Sequence, residues 1–183
     1  KDADYIVAYD ANKAIGKAVN YITDFELAPD SQHLAVMVSK EGGDWREIHI
    51  CNLKNKAEPV EVIKWVKFSN LEWYENGFFY SRFEKVATDS LHVAANKRQQ
   101  LLYHKLGTSA DEDLLIHIIP DKANSVFRFH LSPDKRYLIF YTAASIKGTM
   151  CNIVAYRDLK DGVFAEQKLL IATPLKAEFT YNV

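Results

Sequence analysis

The 183-residue chain has almost no excess of charge: 23 Lys and Arg stand against 24 Asp and Glu, a formal net charge of −1. A nucleic-acid or anionic-membrane partner requires a concentrated positive field, so neither is expected. Cysteine is equally scarce. Cys51 and Cys151 stand one hundred residues apart, unlike the dense spacing of a secreted disulfide scaffold. Two buried thiols are the expectation, since free Cys is among the most buried residue types. No stretch approaches the ~20 apolar residues of a membrane helix; the longest runs, 34–38 and 114–119, are strand-sized. The N-terminus has no charged segment leading into an apolar one, as a secretory signal would. These absences set the expectation of a soluble chain, cytoplasmic rather than periplasmic. The remaining composition, 48% apolar, 13% aromatic and 26% charged, excludes long disorder, collagen-like repeats and coiled coil.

Helical periodicity is almost missing too. Short runs rich in Val, Ile, Tyr, Phe and Trp alternate with Pro, Asp, Asn and Gly clusters, the signal of strands and turns. The segment Glu47-Ile48-His49-Ile50-Cys51-Asn52-Leu53 has period two, which buries one face of a strand. Nothing reads as a crossover helix, so the sheets should be antiparallel.

One design recurs three times: strand, tight polar turn, strand, loop, third strand. Phe25-Glu26-Leu27-Ala28-Pro29-Asp30 turns into 34–38, followed by 45–53. Leu71-Glu72-Trp73 turns at Glu75-Asn76-Gly77 into 78–81, followed by 101–106. Phe129-His130-Leu131-Ser132-Pro133-Asp134 turns into 137–140, followed by 152–159. A shorter fourth strand follows each, near 60–63, 114–118 and 167–171. Pro29 and Pro133 preset φ for a type I turn, and Asp30 and Asp134 can accept from the backbone ahead. Asn76-Gly77 is a strong hairpin signal because both residues accept positive φ. A sandwich does not need one sequence three times, whereas four-stranded antiparallel units repeating at this period are blades of a β-propeller.

The fold class expected is therefore all-β: a partial β-propeller with blades at 20–63, 69–118 and 126–172, and with 176–183 opening another. Propellers close with about 4–8 blades. Since the chain also begins with Lys1 rather than Met, it is expected to be a piece of a longer ring. Exposed blade faces and edges should then favour self-association. The stretch 84–99 is long for a connection within one hairpin.

Asp44-Trp45-Arg46-Glu47-Ile48, Val66-Lys67-Phe68-Ser69 and Gly77-Phe78-Phe79-Tyr80-Ser81-Arg82 resemble the propeller of prolyl oligopeptidases. So does Tyr103-His104-Lys105-Leu106-Gly107-Thr108 followed by Glu112-Asp113-Leu114-Leu115. The order holds from about residue 5 to residue 159. The His-Lys-Leu-Gly-Thr stretch is shared with oligopeptidase B enzymes, while Lys67-Phe68-Ser69 and the Gly-Phe-Phe-Tyr-Ser-Arg run favour the prolyl type. A stand-alone propeller scaffold for protein partners is the alternative of another class. The turns depart from the family's Asp-Gly, carrying Asp30-Ser31 and Asp134-Lys135 instead.

The resemblance implies a serine peptidase that cleaves short peptides after proline. In that family a seven-bladed propeller caps an α/β-hydrolase domain, the expected partner of these blades, and holds folded proteins away from the catalytic centre. It also implies that Phe68, Val126 and Arg157 border the pocket for the residue two before the cleaved proline. Ordinary blade packing is the competing role for all three.

No catalytic residue is expected in the chain itself. A nucleophile elbow needs Gly-x-Ser-x-Gly, and Gly107-Thr108-Ser109-Ala110-Asp111 lacks the closing Gly. The histidines at 33, 49, 92, 104, 117 and 130 show no metal-ligand spacing, so neither a metal nor a cofactor is expected. His49, His104 and His117 lie in predicted strands, where a hydrogen-bonded structural role is expected. Trp45, Trp65 and Trp73 read as blade-packing residues.

Overall fold

The structure, a computed structural model, describes residues 7–15, 19–54, 59–83, 98–118, 126–146, 149–170 and 175–176. Blade 1 runs in sequential antiparallel order through β1 (Asn20–Leu27), β2 (His33–Lys40), β3 (Arg46–Asn52) and β4 (Glu61–Val66). Blade 2 follows with β5 (Glu72–Tyr74), β6 (Gly77–Arg82), β7 (Gln100–Lys105) and β8 (Leu114–Ile118). Blade 3 holds β9 (Val126–Leu131), β10 (Tyr137–Ile146), β11 (Thr149–Asp158) and β12 (Lys168–Leu169). A last short strand, β13 (Leu175–Lys176), pairs with β11 beside β12. Lys176 thus extends the edge of blade 3, and 177–183 lie outside the described residues. So do 84–97 of the long connection expected at 84–99.

Two of the three inner turns share one geometry. In blade 1, Asp30 Oδ1 accepts from the amides of Gln32 and His33 at 2.7 and 3.0 Å, and Ser31 has φ +55°. In blade 3, Asp134 Oδ1 accepts from the Ser132 hydroxyl at 2.6 Å and the Arg136 amide at 3.1 Å, and Lys135 has φ +60°. Both are side-chain-capped turns with one left-handed residue, the place where the family's glycine is replaced. Blade 2 differs from the reading of Asn76-Gly77 as its left-handed pair. Its two-residue turn is Glu75-Asn76, with Glu75 at φ +51°, and Gly77 is already the first residue of β6. Glycine is needed there for another reason: the His104 backbone and the Tyr103 ring occupy the space of a Cβ.

Side chains on opposite faces of each sheet build separate cores, as strand alternation requires. Met37, Ile48, Ile50 and Ile63 of blade 1 pack against Trp73, Phe78, Tyr80 and Leu102 of blade 2. Phe79, Leu101 and Ile116 on the other face of blade 2 pack against Phe127, Phe129, Leu138 and Phe140 of blade 3. A helix, α1 (Ala11–Ile15), lies on the outer face of blade 1, where Ala11 meets Val36 and Val38. Asp10 caps it, accepting from the amides of Asn12 and Lys13 at 3.1 and 3.2 Å.

Hydrogen bonds stitch the blades at their inner strands. The Trp73 amide donates to Glu26 of blade 1 at 3.1 Å, and its indole donates to the Glu26 carbonyl at 3.0 Å. One blade further on, the Leu131 amide donates to Glu72. Burial, with Glu26 nearby, pushes the Glu72 carboxyl up to about 7. The Lys135 ammonium donates to the Trp73 carbonyl at 2.9 Å and lies 3.7 Å from Glu26, so it joins all three blades.

Candidate functional site

A groove of about 1090 Å³ follows the free edge of β9 at the seam between blades 2 and 3. One wall is Phe68-Ser69-Asn70, the connection from β4 to β5; the floor comes from β9, β10 and the start of β11. Phe68 has φ +52° and is 49% exposed. A left-handed backbone costs a non-glycine residue roughly 1–2 kcal/mol, so its surroundings must hold it. The Ser81 hydroxyl donates to the Phe68 carbonyl at 3.0 Å, and the Ser81 amide donates to Ser69 Oγ at 2.7 Å. Behind the ring, the Lys67 ammonium sits 5.2 Å from the centroids of both Trp45 and Phe68 and 3.2 Å from Asp44. Phe83 meets Phe68 edge-on at 6.0 Å.

Val126 begins β9 and is 47% exposed. It lines the same groove as Phe68, so the structure brings these two together. Arg157 lies elsewhere. It pairs with Leu138 in the β10–β11 ladder, and alternation turns its side chain toward blade 2. Its guanidinium donates to the Ile116 carbonyl at 2.8 Å and lies over the Phe140 ring at 5.9 Å. That places Arg157 in the seam between blades, away from the groove.

Sequence reasoning missed Asn70, Arg128 and Tyr141 as groove residues. Asn70 Nδ2 donates to the Phe129 carbonyl at 2.9 Å and so fixes the wall to the floor. Arg128 and Tyr141 are register partners on adjacent strands. The alternating run Val126-Phe127-Arg128-Phe129-His130-Leu131 carried the signal, since Val126 shares a strand face with Arg128 and His130.

A buried polar cluster lies apart from the groove. His104 is 1% exposed, with Nδ1 2.7 Å from Asp113 and Nε2 2.6 Å from Glu61 on blade 1. Tyr80 donates to the other Asp113 oxygen at 2.5 Å, and the Gly107 amide donates to Glu61 at 2.7 Å. Burial favours the neutral ring, but the two carboxylates outweigh it and push His104 up to about 9. An imidazole protonated at neutral pH and held at both nitrogens cannot serve as a general base. His104 is a tie between blades. His49 is hydrogen-bonded as expected, to Tyr9 at 2.9 Å and Glu47 at 3.1 Å. His117 differs: it has no hydrogen-bond partner among the described residues and packs against Phe127 and Phe140. Burial, with Arg157 nearby, pulls it down to about 4. Ser109 caps the short helical turn Ala110–Glu112 by accepting from the Asp111 amide at 3.3 Å. Among the described residues no group of His, Cys, Asp and Glu is arranged to hold a metal ion.

The family profile described as the prolyl oligopeptidase N-terminal β-propeller domain matches residues 3–183. The chain belongs to the prolyl oligopeptidase family. A prolyl endopeptidase from Elizabethkingia miricola is 30% identical over 156 residues, 85% of this chain and 22% of the relative. The prolyl endopeptidase of Elizabethkingia meningoseptica shows the same identity and coverage. A dual-function macrocyclase-peptidase from Galerina marginata is 26% identical over 102 residues, 49% of this chain and 14% of the relative. Among solved structures, one from a study of two prolyl endopeptidases superposes with a TM-score of 0.68 at 24% identity. That match covers 85% of this chain and 22% of the solved one. The fold is thus that of the prolyl oligopeptidase propeller, and the chain spans about a fifth of the length of such relatives.

Proposed function

We propose that these blades are part of the cap of a serine-type prolyl oligopeptidase that hydrolyses short peptides after proline. The nucleophile, acid and base of such an acyl transfer lie outside this chain. The role left to the blades is to admit short peptides, to exclude folded proteins, and to lend a side wall to the substrate pocket. The observation that carries this reading is the convergence of Phe68 and Val126 on one groove, with the strained Phe68 backbone held in place by Ser81 and its ring exposed. An apolar wall of this kind suits the side chain two before the cleaved proline, and aromatic area dominates such contacts.

The test uses the whole protein and a fluorogenic proline peptide with phenylalanine two before the proline. Phe68→Ala is expected to raise KM about five- to ten-fold, the loss of roughly 1–1.4 kcal/mol of apolar contact, with kcat little changed. Unaltered KM overturns the assignment of Phe68. The 183-residue chain by itself is expected to show no turnover, and inhibitor-sensitive hydrolysis by it would overturn the placement of the triad.

A further inference from the structure

The groove is lopsided in charge. Among the described residues its lining includes one that is charged throughout the neutral range, Arg128, and no Asp or Glu. The polar remainder, Ser69, Asn70, Tyr141, Thr142 and Asn152, is neutral. His130 also lines it, but burial lowers its pKa and it is stacked on Tyr141 at 5.3 Å. The Arg128 side chain is exposed and makes no hydrogen bond or ion pair with a described residue. Its planar fork suits a carboxylate, which guanidinium can bind through two parallel hydrogen bonds.

The spacing adds direction. Val126 and Arg128 are two residues apart on one face of β9, about 7 Å along the strand. An extended peptide places its own alternate side chains at the same interval. With one side chain against Phe68 and Val126, the side chain two residues away comes level with Arg128. In the downstream direction that residue is the proline at the scissile bond, so the free position is upstream.

We infer that Arg128 makes the groove select peptides carrying an acidic side chain two residues upstream of the one seated against Phe68 and Val126. This inference rests on the reading of that pair as a peptide-binding wall. It names the substrate feature recognised, a side-chain carboxylate, and the residue that reads it.

Calorimetric titration of the full 183-residue chain tests it, with three peptides blocked at both ends. Each has one proline, phenylalanine two before it, and Glu, Gln or Lys two residues further upstream. Affinity is expected to fall in the order Glu, Gln, Lys by about three-fold per step, a range set by exposed ion pairs. The steps should shrink in high salt. Arg128→Gln should abolish the order, and Phe68→Ala should weaken all three peptides alike. Equal binding of the three peptides to the wild-type chain, or an order that survives in Arg128→Gln, overturns the role of Arg128. An order that holds while Phe68→Ala changes nothing supports Arg128 and overturns the role of Phe68. If none of the three peptides binds, both roles are overturned. Arg128 is exposed, so its variant is expected to keep the wild-type circular dichroism spectrum.

Discussion

A single buried imidazole carries more of the pH dependence than its place in the sequence suggests. His104 is held between Asp113 and Glu61, which belong to different blades. Its folded pKa of about 9 lies above the ordinary 6.5, so the folded chain holds a proton that the unfolded chain releases first. The resulting stability is present in full below pH 6.5 and is lost as pH rises through 9. With the ring almost fully buried it amounts to about 3 kcal/mol. Urea denaturation at pH 6, 7.5 and 9 should show this loss, and His104→Gln should flatten it while lowering stability at pH 6. A wild-type chain equally stable at pH 6 and 9 would contradict the protonated tie. Within Tyr103-His104-Lys105-Leu106-Gly107-Thr108 the histidine was legible as a structural strand residue. Its partners were not, because Glu61 lies 43 positions away in another blade and only the packed seam brings it near.

At the scale of strands, the free edge of β9 is closed by side chains rather than by a neighbouring strand. Gln99 Nε2 donates to the Phe127 carbonyl at 3.1 Å, and its Oε1 accepts from the Phe127 amide at 3.0 Å. Together these mimic one rung of a ladder. Asn70 covers the Phe129 carbonyl and Glu72 the Leu131 amide. Gln99→Ala would leave a buried donor and acceptor unpaired, costing about 2–3 kcal/mol. Chemical denaturation should register that loss; a change under about 0.5 kcal/mol, within the range of an ordinary surface substitution, would mean the edge finds other partners. Elements of this kind divide what sequence can reveal. The strands and the capped turns at Asp30 and Asp134 were readable, because period-two alternation and turn chemistry are local. Edge closure was not, since Gln99 and Asn70 act on residues 28 and 59 positions away. The same limit explains the site. Phe68 stands inside the recognisable stretch Val66-Lys67-Phe68-Ser69, whereas Arg128 becomes a groove residue only once β9 lies beside Phe68.

The outer face of blade 1 is an apolar surface. Ile22, Phe25 and Leu27 of β1 pair with Val38, Val36 and Leu34 of β2 and share their face. The segment from Tyr9 to Ala11 covers part of it, reaching Val36 and Val38. Phe25 remains 67% exposed, with Ile22, Leu27 and Val62 exposed as well. On the opposite face of the same sheet, Met37, Ile48 and Ile50 are fully buried against blade 2, so the burden of uncovered apolar area falls on one side. Contiguous apolar surface of this kind drives association in water. Two copies meeting through this same face would form a two-fold contact in which Phe25 covers its counterpart. Burying one such side chain contributes about 1.5–3 kcal/mol, and the contact counts it twice. Sedimentation velocity of the 183-residue chain is therefore expected to show association that grows with concentration. Phe25→Lys should shift the chain to monomer without loss of folded structure, since the replaced ring touches solvent rather than the core. A clean monomer at every concentration, or association undiminished in Phe25→Lys, would show that the face stays open to water.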